Sequence, residues 1–174
     1  MQIDGKLMPN EFIHRTILTN CIPDIEEITE VFKEQSPNTG QSFNVFEYFS
    51  DCQALTRVKD AMGQAVTELM GHPHDVSRGW AKSFHPGESM YLHAHDERGR
   101  KDPLGANQVP FPVGVFYLAG SSPIVFFPYH EEPIAVDVEP GTFLIFRSDF
   151  HHCVPPTPGF RQSLAANFKP DRSA

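Results

Sequence analysis

The chain has 174 residues, 40% of them hydrophobic, and a formal net charge of −8 at pH 7. It contains no run of eighteen apolar residues, so a membrane span is not expected, and its acidic balance argues against broad nucleic-acid binding. This length and composition predict one domain over residues 1–174 with a sizeable core.

The first ten residues, "MQIDGKLMPN", lack the basic and apolar segments that a signal peptide requires. The three cysteines, Cys21, Cys52 and Cys153, are odd in number and have no CxxC spacing. We therefore interpret them as reduced thiols and expect a cytoplasmic location.

Residues 1–76 are predicted to form one strand and two packing helices. The strand is "FIHRTIL", which alternates well enough to be extended. The first helix covers residues 23–35, where Asp24 and Glu27 resemble a capping box. Its apolar face consists of Ile25, Ile28, Val31 and Phe32.

The second predicted helix covers residues 51–70. Ser50 is expected to be its N-cap, and Gly71 is expected to end it. The helical spacing gives it a buried stripe that consists of Leu55, Val58, Met62, Val66 and Leu69.

From Ser77 onward the helical periodicity disappears, and prolines and glycines separate short apolar runs. Strands are predicted at 79–84, 89–95, 113–118, 124–127, 134–138, 142–146, 152–154 and 162–168. Eight short strands with turns between them indicate a mainly β jelly roll with N-terminal helices, and residues 77–170 are expected to form the jelly-roll core. The long polar segment 96–112 is expected to be a lid or binding loop.

The segment "MYLHAHDERGR" places His93 and His95 two residues apart. On a strand these side chains would share one face and could bind one metal ion. The third ligand is expected in the segment "FRSDFHHCVPPTPGFRQS", where His151 and His152 are adjacent and only one of them can point inward. Imidazole ligands suit iron, zinc, copper and nickel, whereas a carboxylate beside two histidines would form the facial triad of Fe(II) oxygenases.

The segment "FRQSLAANF" places an arginine within an apolar strand. A buried Arg161 would be costly unless an anion met it, and its planar group suits a carboxylate. Ser163 lies on the same face and could add a hydroxyl donor, and Asn167 follows on that face too.

In order and spacing, several motifs between Trp80 and Phe168 resemble the Fe(II)- and 2-oxoglutarate-dependent oxygenases. These motifs are W-x-x-x-F-x-x-G, H-x-H, "VGVFYL", "PGTFLIFRSDFHHCV" and "RQSLAANF". The resemblance is to the compact prolyl-hydroxylase-like branch, which includes phage and bacterial members.

The resemblance implies a double-stranded β-helix, a cupin-like jelly roll with the metal inside. It implies that His93, His95 and His152 bind Fe(II), and that Arg161 and Ser163 bind the far carboxylate of the cosubstrate 2-oxoglutarate. The implied reaction is a hydroxylation that uses dioxygen. The implied substrate is a protein residue, an amino acid or a small metabolite.

The sequence departs from the usual His-x-Asp motif of that family, because the second position is His95. Asp96 or Glu97 could instead supply a carboxylate. We favour His95 because Gly87 precedes His93 by six residues, as in the compact branch. Two other functions remain open: a three-histidine cupin-type dioxygenase or isomerase that does not use 2-oxoglutarate, and a non-catalytic jelly-roll binding module.

Overall fold

The computed structural model describes residues 2–3, 6–7, 13–35, 44–95, 110–128 and 131–171. Its helical elements are a 3-10 helix (Thr19–Asp24), α1 (Ile25–Gln35), α2 (Val45–Tyr48) and α3 (Gln53–Met70). The strands in the first half are β1 (Gln2–Ile3), β2 (Lys6–Leu7), β3 (Ile13–Ile17), β4 (His74–Phe84) and β5 (Met90–His93). Those in the second half are β6 (Pro112–Ala119), β7 (Ile124–Phe127), β8 (Ile134–Val136), β9 (Thr142–Arg147), β10 (His151–Val154) and β11 (Arg161–Pro170).

Two antiparallel sheets make up the main body of the fold. The larger sheet has the order β3-β9-β6-β11-β4, and the smaller sheet has the order β5-β10-β7-β8. From β4 to β11 the chain alternates between the two sheets except at the hairpin β7-β8, which lies within the smaller sheet, as in a jelly roll. The predicted mainly β fold with N-terminal helices is confirmed.

The larger sheet has two apolar faces because its strands are buried on both sides. One face packs against the helices through residues that include Phe143, Leu164 and Phe168. The opposite face, which includes Trp80, lines the barrel interior, where it packs against residues of the smaller sheet that include Phe126. This alternation with period two decides which side chains can reach a site inside the barrel.

Helix α3 covers the outer face of the larger sheet. Its buried residues are Ala54, Leu55, Val58, Met62, Val66 and Met70, and Leu69 is partly buried. Gly71 ends the helix in the left-handed region at φ 72°, as predicted. The predicted N-cap was wrong, because the helix begins at Gln53 and Cys52 takes that position.

Asp24, the first residue of the predicted capping box, lies directly before α1 and makes a tertiary contact. Asp24 ends the preceding 3-10 helix, and its carboxylate accepts hydrogen bonds from Arg57 of α3, with Nε 3.0 Å from Oδ1. This ion pair joins the two helices. The sequence pattern missed it because Arg57 lies on a neighbouring element.

Several strand limits differ from the prediction. Strand β4 begins at His74 and β10 at His151, while β5 ends at His93 and β8 at Val136. The short elements β1, β2, α2 and the 3-10 helix were not predicted. The predicted lid lies largely outside the described residues, which resume at position 110.

The short helix α2 lies against the edge strand β4. A side chain at Gly79 would collide with the ring of Phe46, so the close approach of this helix requires glycine there. Within the described residues, no helix is both long and apolar enough to cross a membrane.

Candidate functional site

The histidines of the site come from the first and second strands of the smaller sheet. In the antiparallel ladder between β5 and β10, His93 lies directly opposite His152. His95 lies two residues beyond the end of β5, where its backbone N–H donates to the carbonyl of Ser148 at 2.7 Å. The expectation that a strand runs through His95 was therefore wrong, and a tertiary hydrogen bond holds this residue in place.

The three histidines converge on one point. One possible ligand atom from each of His93, His95 and His152 lies within 4.8 Å of the other two. The Nε2 atoms of His95 and His152 are 3.3 Å apart. This spacing suits three side chains that bind a common metal ion.

Backbone carbonyls orient two of these rings. Nδ1 of His93 lies 2.9 Å from the carbonyl oxygen of Tyr91, and Nδ1 of His152 lies 2.9 Å from that of Phe150. A ring nitrogen that faces a carbonyl must carry the proton and donate it. The Nε2 lone pairs of both histidines are consequently left for a metal.

Burial keeps the three imidazoles neutral. Loss of solvent lowers the pKa of His93, lowers the pKa of His152 to about 3, and lowers the pKa of His95 well below its usual value. For His95 and His152 the charges of neighbouring histidines lower the pKa further. Neutral imidazole is the form that binds metals, so these pKa values favour metal binding over protonation at pH 7.

The neighbours of His152 do not join the cluster. His151 and Cys153 are half-buried on the other face of β10, whereas His152 is buried. Asp149 is buried too, but its carboxylate accepts from Arg147, with Nε 2.9 Å from Oδ1. Among the described residues, the only group placed to hold a metal consists of three histidines. The alternative ligands Asp96 and Glu97 lie outside the described residues.

Arg161 begins β11 and points into the barrel with only 2% of its surface exposed. Its Nη2 donates to the hydroxyl of Tyr117 at 3.2 Å, and its guanidinium lies over the rings of Phe84 and Tyr117. Its Nε has no hydrogen-bond partner, and no carboxylate of the described residues forms an ion pair with it. A buried cation in this position calls for an anionic ligand.

Ser163 lies on the same barrel face of β11 and is 5% exposed. Opposite it in the ladder is Lys82 of β4. The positive charge of Lys82 contributes to lowering the pKa of His93, which places this lysine near the histidine cluster. Lys82 was not predicted from the sequence as a site residue, although it alternates with Trp80 and Phe84 on the same strand face.

Known proteins match this chain by structure but not detectably by sequence. No protein-family model matches the sequence, and no curated protein is detectably similar to it. Solved structures do match. A prolyl-4-hydroxylase from Pseudomonas putida is 13% identical with a TM-score of 0.67, over 91% of this chain and 92% of that one.

HygX from Streptomyces hygroscopicus, solved with nickel and 2-oxoglutarate bound, is 12% identical with a TM-score of 0.65, over 92% of this chain and 82% of that one. An oxidoreductase of the 2OG-Fe(II) oxygenase family from Burkholderia pseudomallei is 15% identical with a TM-score of 0.54. That match covers 67% of this chain, which spans about half (56%) of the Burkholderia chain. The chain has the fold of these oxygenases.

Trp80 and Tyr117 are neighbours of the candidate site residues and were not predicted from the sequence as part of the site. The Trp80 ring lies 5.3 Å from that of His95, and the burial of Tyr117 raises the pKa of its hydroxyl to about 12. Tyr117 therefore stays protonated beside Arg161. The alternation of Val113, Val115 and Tyr117 along one face of β6 is the sequence pattern that could have identified Tyr117 as an inward-facing residue.

Asn167 lies on the barrel-side register of β11, opposite Arg78 of β4 and Val113 of β6. Its side chain is half-buried and its Oδ1 atom has no hydrogen-bond partner. It lines a pocket at the end of the barrel opposite to Arg161. The expectation that Asn167 follows Arg161 and Ser163 on one face is met, with five residues between the arginine and the asparagine.

Proposed function

We propose that this chain is an Fe(II)- and 2-oxoglutarate-dependent oxygenase that hydroxylates a C–H bond. The observation that carries the proposal is one barrel interior with two complementary features. Three neutral imidazoles converge inside it, and Arg161 is buried there with no ion pair to any carboxylate of the described residues. Structures with this fold include a prolyl-4-hydroxylase and a protein with nickel and 2-oxoglutarate bound.

The donor set fits iron. In this proposal His93, His95 and His152 hold Fe(II), whose preference for imidazole nitrogen matches them. When bound, iron supplies the redox chemistry that couples decarboxylation of 2-oxoglutarate to oxidation of the substrate. The balanced reaction is R–H + 2-oxoglutarate + O2, which gives R–OH + succinate + CO2.

In this proposal the side chains of the barrel bind and orient the cosubstrate. Arg161 binds the far carboxylate of 2-oxoglutarate through its planar donors, and Ser163 adds a hydroxyl donor. The hydroxyl of Tyr117 and the ring of Phe84 hold the guanidinium in position before the ligand arrives. A site that is organised in advance loses little free energy on binding.

The three-histidine set also has an electrostatic consequence. Neutral imidazoles leave the full charge of a divalent metal uncompensated, and Lys82 and Arg161 add two positive charges nearby. An anionic cosubstrate is therefore attracted to this interior more strongly than in a site that already contains a carboxylate ligand. This favours 2-oxoglutarate, which is a dianion.

An anaerobic titration tests the proposal. The metal-free protein is given Fe(II) and then 2-oxoglutarate, and the visible charge-transfer band between metal and ketoacid is recorded. We expect a band in the wild type, no band in His152→Ala, and a much higher 2-oxoglutarate concentration for half-saturation in Arg161→Ala. His151→Ala is the matched control, because that neighbouring ring lies on the other face of β10.

The same titration separates the other functions. Iron that binds without any charge-transfer band would overturn the proposal in favour of a three-histidine dioxygenase or isomerase that does not use 2-oxoglutarate. Failure to bind iron at all would leave a non-catalytic binding module.

The proposal includes dioxygen as cosubstrate and a protein residue, an amino acid or a small metabolite as primary substrate. It also includes the cytoplasmic location. The finding that Cys21, Cys52 and Cys153 are all free thiols supports that location.

A further inference from the structure

A pocket of about 330 Å³ opens beside the edge strand β4. It lies on the His95 side of the barrel, as two contacts show. The backbone N–H of Phe111, a lining residue, donates to the hydroxyl of Ser148 at 3.2 Å, and the carbonyl of Ser148 holds His95. The pocket is therefore linked to His95 through Ser148, and it lies at the opposite end of β11 from Arg161.

The pocket has charges of both signs on its walls. Arg78 is half-buried and forms no hydrogen bond or ion pair with any described residue. Glu47 lies exposed on the rim, where one carboxylate oxygen accepts from Nδ2 of Asn44 at 2.7 Å. No ion pair joins Arg78 to Glu47, although both line the same pocket. Opposite charges that are held apart are each free to meet a charge of the ligand.

Asn167 adds a polar atom that lacks a partner. Its Oδ1 is buried and accepts no hydrogen bond from the described residues. An unsatisfied buried acceptor is costly, so such groups are usually completed by a ligand or by water. Because Asn167 lies directly opposite Arg78 in the ladder, the acceptor and the cation are neighbours.

Phe111 also lines the pocket and is half-buried, so the wall of the pocket that is hydrogen-bonded to Ser148 offers an apolar surface. A ligand held here by its charged groups can direct an apolar side chain past Phe111 toward the histidines. A volume of about 330 Å³ suits a molecule of amino-acid size and is small for a folded peptide segment.

We propose that this pocket binds the primary substrate, and that the substrate is a free α-amino acid in its zwitterionic form. Arg78 binds the carboxylate, and Lys169 at the rim adds positive charge. The free oxygen of Glu47 and Oδ1 of Asn167 accept hydrogen bonds from the ammonium group. The assignment as a substrate rests on the proposed oxygenase function, whereas binding to the pocket does not.

Binding is measured first, by calorimetry on the full chain with and without Ni(II) and 2-oxoglutarate under nitrogen. The probes are the twenty common amino acids, followed by the methyl ester and the N-acetyl derivative of the best one. We expect at least one amino acid to bind, and each derivative to bind at least tenfold more weakly because it lacks one charge.

Variants then locate the binding. Arg78→Met and Glu47→Gln are each expected to weaken amino-acid binding at least tenfold, and Arg78→Lys is expected to restore part of it. Arg15→Met is the control, because Arg15 lies on β3, away from this pocket. Circular dichroism checks that each variant is folded, and Arg78→Lys replaces Arg78→Met as the decisive variant if the latter is not.

The results distinguish the two proposals. A charge-transfer band without amino-acid binding, or with tighter binding of the N-acetyl derivative, overturns the amino-acid assignment and leaves the oxygenase. Amino-acid binding that depends on Arg78, without a band, overturns the oxygenase and leaves the binding site. Amino-acid binding that is unaffected by Arg78→Met and Arg78→Lys overturns the assignment of this pocket.

Discussion

The two faces of strand β11 differ sharply in chemistry. On the helix side, Leu164, Ala166 and Phe168 are fully buried in an apolar core. On the barrel side, Arg161 and Ser163 are almost as completely buried, yet they carry polar groups that the described residues satisfy only in part. One ten-residue strand thus has an apolar packing face on one side and the polar groups of the candidate site on the other.

The comparison shows that burial alone does not identify the role of a residue. Apolar side chains on the helix face stabilise the fold by removing surface from water. The polar side chains on the barrel face lower the stability of the ligand-free protein, because their loss of hydration is not offset by protein partners. Replacing these polar side chains by apolar ones should therefore stabilise the ligand-free protein. Removing apolar side chains from the helix face should destabilise it.

The largest effect is expected from Phe168→Ala on the helix face. Removing this buried ring leaves a cavity beside Phe143 and should lower the free energy of unfolding by about 3–5 kcal/mol. Urea denaturation measures the loss. Folded protein should still bind iron normally, and a specific loss of iron binding would contradict the separation of the two faces.

Arg161→Met should have the opposite effect on stability. Removal of an uncompensated buried charge should raise the free energy of unfolding of the ligand-free protein by about 1–3 kcal/mol, while 2-oxoglutarate binding is lost. Thermal unfolding with and without 2-oxoglutarate measures both quantities. Arg147→Met is the matched control: Arg147 is already paired with Asp149, so its removal should destabilise the protein. Equal destabilisation by both variants would show that Arg161 is structural.

The pH dependence should reveal the buried histidines. Because the folded pKa of His152 is lowered from 6.5 to about 3, the unfolded chain binds the additional proton. The stabilising contribution is fully present above pH 6.5 and is lost as the pH falls toward 3. Urea denaturation of the metal-free protein between pH 7 and pH 4 should therefore show a flatter profile for His152→Leu than for the wild type. His14→Leu is the control, because His14 is exposed. A profile of His152→Leu that runs parallel to that of the wild type would contradict the burial argument.

His95→Asp would test the unusual donor set directly. A carboxylate in place of one imidazole should favour manganese over nickel by about tenfold, or roughly 1.4 kcal/mol, because harder metals prefer oxygen ligands. Competition between Mn(II) and Ni(II) measures the ratio. An unchanged ratio would show that His95 does not bind the metal.

The smallest effect is expected from Ser163→Ala. Loss of one hydroxyl donor should weaken 2-oxoglutarate binding by about 1 kcal/mol, or roughly fivefold, and leave iron binding unchanged. The charge-transfer titration measures both. An effect as large as that of Arg161→Met would mean that the hydroxyl, and not the guanidinium, is the main anchor of the carboxylate.

The sequence predicted much of this arrangement because strands alternate with period two. That rule placed Arg161 and Ser163 on one face and separated His152 from His151. The short apolar runs between prolines and glycines located all eight strands of the jelly roll in order. The period-two rule failed at His95, which is held by the carbonyl of Ser148 beyond the end of its strand. Residues more than fifty positions apart make that contact, and no local pattern encodes it.

The sequence by itself determined the fold class, the helical stripe of α3, and the residue types that could bind a metal and a carboxylate. These properties depend on local periodicity and on side-chain chemistry, which the order of residues contains. Only the tertiary structure decided that His93 faces His152 and that Arg161 has Tyr117, and no carboxylate of the described residues, beside it. It also decided that Arg78 and Glu47 share a pocket without pairing. Each of these facts concerns elements distant in the chain, whose approach is fixed by the packing of the two sheets and the helices together.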